Sequence, residues 1–126
     1  MSEDTKKILV VEDNALNLEL VTDLLEVSGF QVVSAGNGED AVSLALLHQP
    51  DLVLMDLSLP GIDGLEATRR LKSEPQTDSI PVVAVTAHSM KGDRQRVEAA
   101  GCCGYLSKPI DTRSFVQVIK GFLSAP

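Results

Sequence analysis

The 126-residue sequence has no tryptophan, one tyrosine and three phenylalanines. So few aromatics leave little with which to stack a planar cofactor such as a flavin. Cysteine is almost as scarce: Cys102 and Cys103 are the only two, and they are neighbours. An adjacent pair is too strained for a crosslinking framework and lacks the spacing of metal ligands. The two read as small packing residues in a reducing cytoplasm. Long apolar runs are missing too, so nothing in the chain is expected to span a membrane. The opening MSEDTKK carries acids and leads into the short run ILVV, which is not a signal peptide. Basic residues number 11 against 18 acidic ones, a net charge of −7. That balance argues against a nucleic-acid partner held through phosphate contacts, while leaving room for a small basic pocket.

What is present is the composition of a folded domain, 44% hydrophobic and 23% charged. The length suits one core. Five buried-looking runs recur at regular intervals: KILVV (7–11), QVVSA (31–35), LVLMD (52–56), VVAVT (82–86) and GYLSK (104–108). Helical spacing fills the gaps. Leu16, Leu20 and Leu24, with Val21 and Leu25, mark a first helix that Gly29 stops. Ala41 to Leu47, Leu65 to Leu71, Arg94 to Ala100 and Phe115 to Leu123 are the later ones. Strict alternation of strand and helix predicts an α/β fold, a five-stranded parallel sheet doubly wound by helices. The apolar middle strands fit a sheet covered on both faces. No linker, low-complexity tract or repeat interrupts the pattern, so residues 1–126 are expected to form one domain with its core at about 7–123. Met1 and the short ends favour a stand-alone chain.

In open α/β sheets, ligands sit beyond the carboxyl ends of the strands. Those ends carry Glu12, Asp13 and Asn14 after the first strand and Asp56 on the third. Thr86 ends the fourth, and Lys108-Pro109 follows the fifth. Three carboxylates within roughly 5 Å of one another repel by on the order of 3 kcal/mol per pair at an effective dielectric of about 20. Lys108 can cancel one unit of charge, and a divalent cation would neutralise the rest. An all-oxygen donor set with few protein ligands suits Mg²⁺ better than zinc. A carboxylate, a metal, a hydroxyl and an ammonium are the parts needed for phosphoryl transfer onto Asp. Asp56 is then the nucleophile, with Thr86 and Lys108 holding phosphoryl oxygens.

The stretches VVEDN, LMDLSLPGIDG, AVTAHSMKGD and GYLSKPID, in that order, resemble the receiver domain of two-component response regulators, the family of the chemotaxis regulator. The resemblance covers about Lys7 to Leu123. EDNALN and AHSMKGDR are most similar to stand-alone cell-cycle regulators of the DivK kind and to receivers of hybrid kinases. The resemblance implies a flavodoxin-like three-layer sandwich of strand order 2-1-3-4-5. It implies a cytoplasmic phosphoprotein, a signalling switch that catalyses its own phosphorylation and dephosphorylation. Its partners would be a histidine kinase or histidine phosphotransferase and a downstream target. Asp56 would accept the phosphoryl group. Asp13, Asp56 and the Ser58 carbonyl would hold Mg²⁺, with Glu12 assisting through water. Tyr105 would turn inward as Thr86 moves toward the phosphoryl group, changing a surface made by the fourth helix, fifth strand and fifth helix. The same resemblance implies a cis Lys108–Pro109 peptide that aims the lysine inward. Ser58 and His88 flank the route of attacking water, and His88 is a candidate for tuning phosphoryl lifetime.

Other classes fit less well. An Asp-nucleophile phosphatase of the haloacid dehalogenase type wants a second Asp two residues after the first, where this chain has Ser58. An FMN carrier would meet repulsion from Glu12 and Asp13. A pseudo-receiver, binding partners without being phosphorylated, usually lacks a site residue, and none is missing here.

Overall fold

β-branched and leucine-rich runs form five parallel strands in the computed structural model, which describes residues 5–86, 91–108 and 110–124, without the side chains of 91–94. The strands are β1 (Lys7–Val11), β2 (Gln31–Ala35), β3 (Leu52–Asp56), β4 (Val82–Thr86) and β5 (Gly104–Ser107). They lie in the order β2-β1-β3-β4-β5, all parallel, as the resemblance implies. Five helices connect and follow them: α1 (Ala15–Val27), α2 (Gly38–His48), α3 (Gly64–Ser73), α4 (Lys91–Ala100) and α5 (Phe115–Ser124). Every residue of β3 and β4 is buried, which is why those runs are apolar throughout. The expected cis peptide at Lys108–Pro109 and the role given to His88 both involve residues outside the described ones.

Strand residues alternate between faces, and the core divides accordingly. Leu9, Val11, Val53, Met55, Val82 and Ala84 pack under α2, α3 and α4. Ile8, Val10, Leu52, Leu54, Val83 and Val85 pack under α1 and α5, against Val21, Leu25, Phe115 and Ile119.

The helices correct some expectations. In α1 the buried residues are Val21 and Leu25, while Leu16 is 78% exposed and Leu20 42%. A stripe spaced strictly by four drifts around a helix of 3.6 residues per turn, so Leu16 rotates away from the sheet. Gly29 does end that segment: its φ of +95° is left-handed and its N–H bonds the Glu26 carbonyl. α2 begins at Gly38, three residues before its first predicted apolar position, because Asn37 caps it. β5 stops at Ser107, one residue short of the predicted Lys108, whose side chain is needed elsewhere. Cys102 is buried as expected, but Cys103 is exposed.

Candidate functional site

Alternation along the strands decides which polar ends meet. Glu12 continues the series Ile8 and Val10, Asp56 ends the series Leu52 and Leu54, and Lys108 follows Leu106. All three carry the parity of the α1–α5 face, and Glu12 and Lys108 border the cavity on that side. Lys108 Nζ sits 3.1 Å from Asp56 Oδ2 and 3.4 Å from Glu12 Oε1. The lysine is anchored at its own backbone, where its N–H donates to the Thr86 carbonyl at 2.8 Å.

Each carboxylate is held in turn by the loop that follows it. Asp56 is 2% exposed, and its Oδ1 accepts the Ser58 N–H at 2.9 Å. Glu12 is 7% exposed, and its Oε2 accepts the Asn14 N–H at 3.2 Å. Asn14 then caps α1 through its own side chain, which accepts the Asn17 N–H at 3.0 Å. Asp13 is exposed beside them. One oxygen from each of Glu12, Asp13 and Asp56 lies within 4.8 Å of the others, as the acidic strand ends predict.

Burial pushes the Glu12 carboxyl above its ordinary range. A hydrogen bond to Asp56 and that residue's charge push the same way and outweigh the Asn14 N–H and Lys108. Burial opposes the charge on Lys108, yet its hydrogen bond to Asp56 and the charges of Asp56 and Glu12 together hold its pKa above the usual value. One ammonium therefore serves a cluster with an excess of negative charge. The donors are all oxygens, close enough for a single small cation to bridge them, and they fit a hard ion such as Mg²⁺.

Thr86 and Tyr105 belong to the other side of the sheet. Thr86 pairs in register with Ser107, and Tyr105 with Ala84, so Tyr105 faces the α4 side two residues behind Thr86. Tyr105 is half-buried against that core cluster and is not brought to the carboxylates. A cavity of about 160 Å³ on this side is lined by Ser58, Asp63, Thr86 and Arg96 together with Leu57, Leu65 and Val97. A larger one of about 330 Å³ lies on the α1–α5 side, apolar except at Glu12, Asn17 and Lys108.

Three contributors went unnoticed in the sequence. Gly64 opens α3 against the end of β3, where an added Cβ would lie 2.4 Å from the Asp56 carbonyl oxygen. Asp63 caps α3 by accepting the Glu66 N–H at 2.8 Å, and an Asp three residues before a Glu was the available signal. Arg96 carries no such motif, because its place depends on how α4 meets the sheet.

A family model described as "Response regulator receiver domain" matches residues 8–120. The polar-differentiation response regulator DivK of Brucella anthropi is 48% identical over 118 residues, which cover 94% of this chain and 96% of that protein. A response regulator structure from Chloroflexus aurantiacus superposes with a TM-score of 0.91 at 29% identity, covering 97% of this chain and all of that one. The receiver domain of the sensor histidine kinase PA1611 from Pseudomonas aeruginosa, with a magnesium ion coordinated in its active-site cleft, gives 0.88 at 31% identity over 96% and 99% of the two chains. A match over nearly the whole length, on a sheet of the same order, places this chain among the receiver domains of two-component response regulators, to which it belongs.

Proposed function

We propose that Asp56 is the phosphoryl acceptor of this receiver. The observation that carries the reading is a carboxylate 2% exposed at a strand end, bound to Lys108 at 3.1 Å and grouped with two further acids. A buried charge in such company is costly unless it is paired, and here the pairing is arranged around a single strand end. In transfer from a phosphohistidine, an Asp56 oxygen bonds phosphorus as the donor's N–P bond breaks, and the departing imidazole takes a proton from solvent. Ser58 N–H and Lys108 hold the carboxylate in one orientation for that attack. Thr86 and Lys108 offer a hydroxyl and an ammonium to phosphoryl oxygens on two sides. Asp13, Asp56 and the Ser58 carbonyl would hold Mg²⁺, with Glu12 acting through water. When bound, that ion supplies the positive charge that screens the acids from an incoming phosphoryl group. The chain thus contributes its own groups to phosphorylation and to the later hydrolysis.

Tyr105 is read as the switch aromatic, since register puts it on the face of Thr86. Its turn would alter the α4–β5–α5 surface read by a downstream protein. The donor is a histidine kinase or histidine phosphotransferase, the setting is cytoplasmic, and the chain works as one domain.

Intact mass after incubation with Mg²⁺ and acetyl phosphate tests the acceptor. One added phosphoryl group is expected, absent with a chelator and absent in Asp56→Asn. A phosphorylated Asn variant would assign the site elsewhere.

A further inference from the structure

Asp56 is bonded to a residue of each of two unlike cavities, to Lys108 on one side and through the Ser58 N–H on the other. On the α1–α5 side the charged groups, Glu12 and Lys108, are already engaged with each other, and apart from Asn17 the rest of that cavity is apolar. On the α3–α4 side the smaller cavity has a mixed lining, with Ser58, Asp63 and Thr86 as polar members, and Arg96 is the basic residue among the described ones that border it. Arg96 shares this wall with Thr86 and with Ser58, whose N–H holds Asp56 Oδ1. Phosphorylation changes the charge at Asp56 from one negative unit to about two. Lys108 is divided between Asp56 and Glu12, so it cannot meet that added charge from the Thr86 side.

A guanidinium suits the task. Arg96 already has a partner in the unphosphorylated chain. Its five N–H donors allow it to keep a contact and still present a forked edge to phosphoryl oxygens. Its position in α4 also matters, because α4 belongs to the surface whose change is to be read.

We propose that Arg96, on the wall it shares with Ser58 and Thr86, is a phosphoryl-binding residue that takes an oxygen of the group on Asp56 from the α4 side and so ties α4 to the phosphorylated state. The inference rests on Asp56 being the acceptor. It differs from a structural role for Arg96, such as pinning α4 to α3, in the sign of its effects on two ligands. A cation that helps hold the phosphoryl group must favour an anion at the site and oppose a metal ion there.

The test uses the full chain and beryllofluoride with Mg²⁺ as a stable phosphoryl mimic, read by the fluorescence of the single tyrosine. Calorimetric titration with Mg²⁺ alone runs in parallel. Arg96→Ala is expected to bind beryllofluoride about tenfold more weakly, equivalent to about 1.4 kcal/mol. Its Mg²⁺ affinity should be unchanged or tighter. Arg96→Lys should recover part of the loss, and added salt should narrow the gap between wild type and the alanine variant. Equal beryllofluoride affinity in wild type and Arg96→Ala would overturn the proposal. So would a parallel weakening of both ligands, which marks a structural role. Wild-type protein that neither binds the mimic nor gains mass from acetyl phosphate would instead remove the acceptor reading on which the proposal stands.

Discussion

Lys108 is the residue on which the charge balance of the site turns. Its ammonium is shared by Asp56 and Glu12, and its side chain is 23% exposed, so it is neither sealed off nor freely solvated. Replacing it has opposite consequences for the cation and for the switch. Lys108→Ala removes a positive charge that competes with a metal, so Mg²⁺ should bind more tightly. After allowance for solvent the gain is about 1 kcal/mol, or roughly fivefold. Phosphorylation of Asp56 should persist, since the Ser58 N–H still holds the carboxylate proposed to attack and the proposed metal ligands remain, but without the ammonium proposed to hold a phosphoryl oxygen the phosphorylated variant should bind its target poorly. Calorimetry with Mg²⁺ and a partner-binding assay on the phosphorylated variant check both halves. Weaker Mg²⁺ binding would contradict the electrostatic account, and normal partner binding would remove Lys108 from the switch.

At the scale of elements, the site depends on how closely α3 approaches the end of β3. Gly64 permits that approach, because the space a Cβ would need is occupied by the Asp56 carbonyl and the Leu57 backbone. Gly64→Ala must push the helix start away from backbone, which cannot yield as a side-chain tip does. A loss on the order of 1–3 kcal/mol is expected, visible as a lower Tm. Because the same contact places Asp56, the rate of phosphorylation by acetyl phosphate should fall as well. An unchanged rate at lowered stability would show that α3 supports the fold without setting the carboxylate. This contact also shows where the sequence stops being informative. Strands β1 to β4 were legible as apolar runs, and Asp56 could be singled out because a charge ended such a run. Glu12 and Lys108 could be joined to it because strand ends in this architecture converge. Gly64 offered only a glycine in a loop, and the obstacle it avoids belongs to another element. The exposed leucines of α1 show the same limit, since spacing identifies a helix but the neighbouring sheet and α5 decide which face is covered.

For the whole molecule, the acidic cluster links folding, protons and metal. Glu12 binds its proton more tightly in the folded chain than its ordinary value of 4.5 allows, through burial and its hydrogen bond to Asp56. An acid raised in this way contributes fully to stability below its unfolded value, and the contribution is lost as pH rises through the folded one. Lys108 is also raised, from 10.5, so its contribution is intact below that value and lost only in more alkaline solution. In metal-free protein the Glu12 contribution therefore declines from acid toward neutral pH while that of Lys108 stays constant. Mg²⁺ reverses the trend for Glu12, because a cation favours the ionised carboxylate that folding alone disfavours, and its binding expels the proton. At a concentration about tenfold above its Kd, the ion should add about 1.4 kcal/mol to folding stability. That gain should be larger at about pH 7.5 than at about pH 5.5, where protons compete for a carboxylate whose pKa is raised. Thermal unfolding with and without Mg²⁺ at both pH values measures the difference directly. Glu12→Gln should flatten the pH dependence, since an amide cannot hold a proton against the metal, while Asp13→Asn should reduce the Mg²⁺ effect at both pH values. A wild-type protein equally stabilised at the two pH values would mean that Glu12 does not take part in binding the cation. The site would then rest on Asp13 and Asp56, and the burial of Glu12 would have to be explained by its contacts with Lys108 and Asn14 alone.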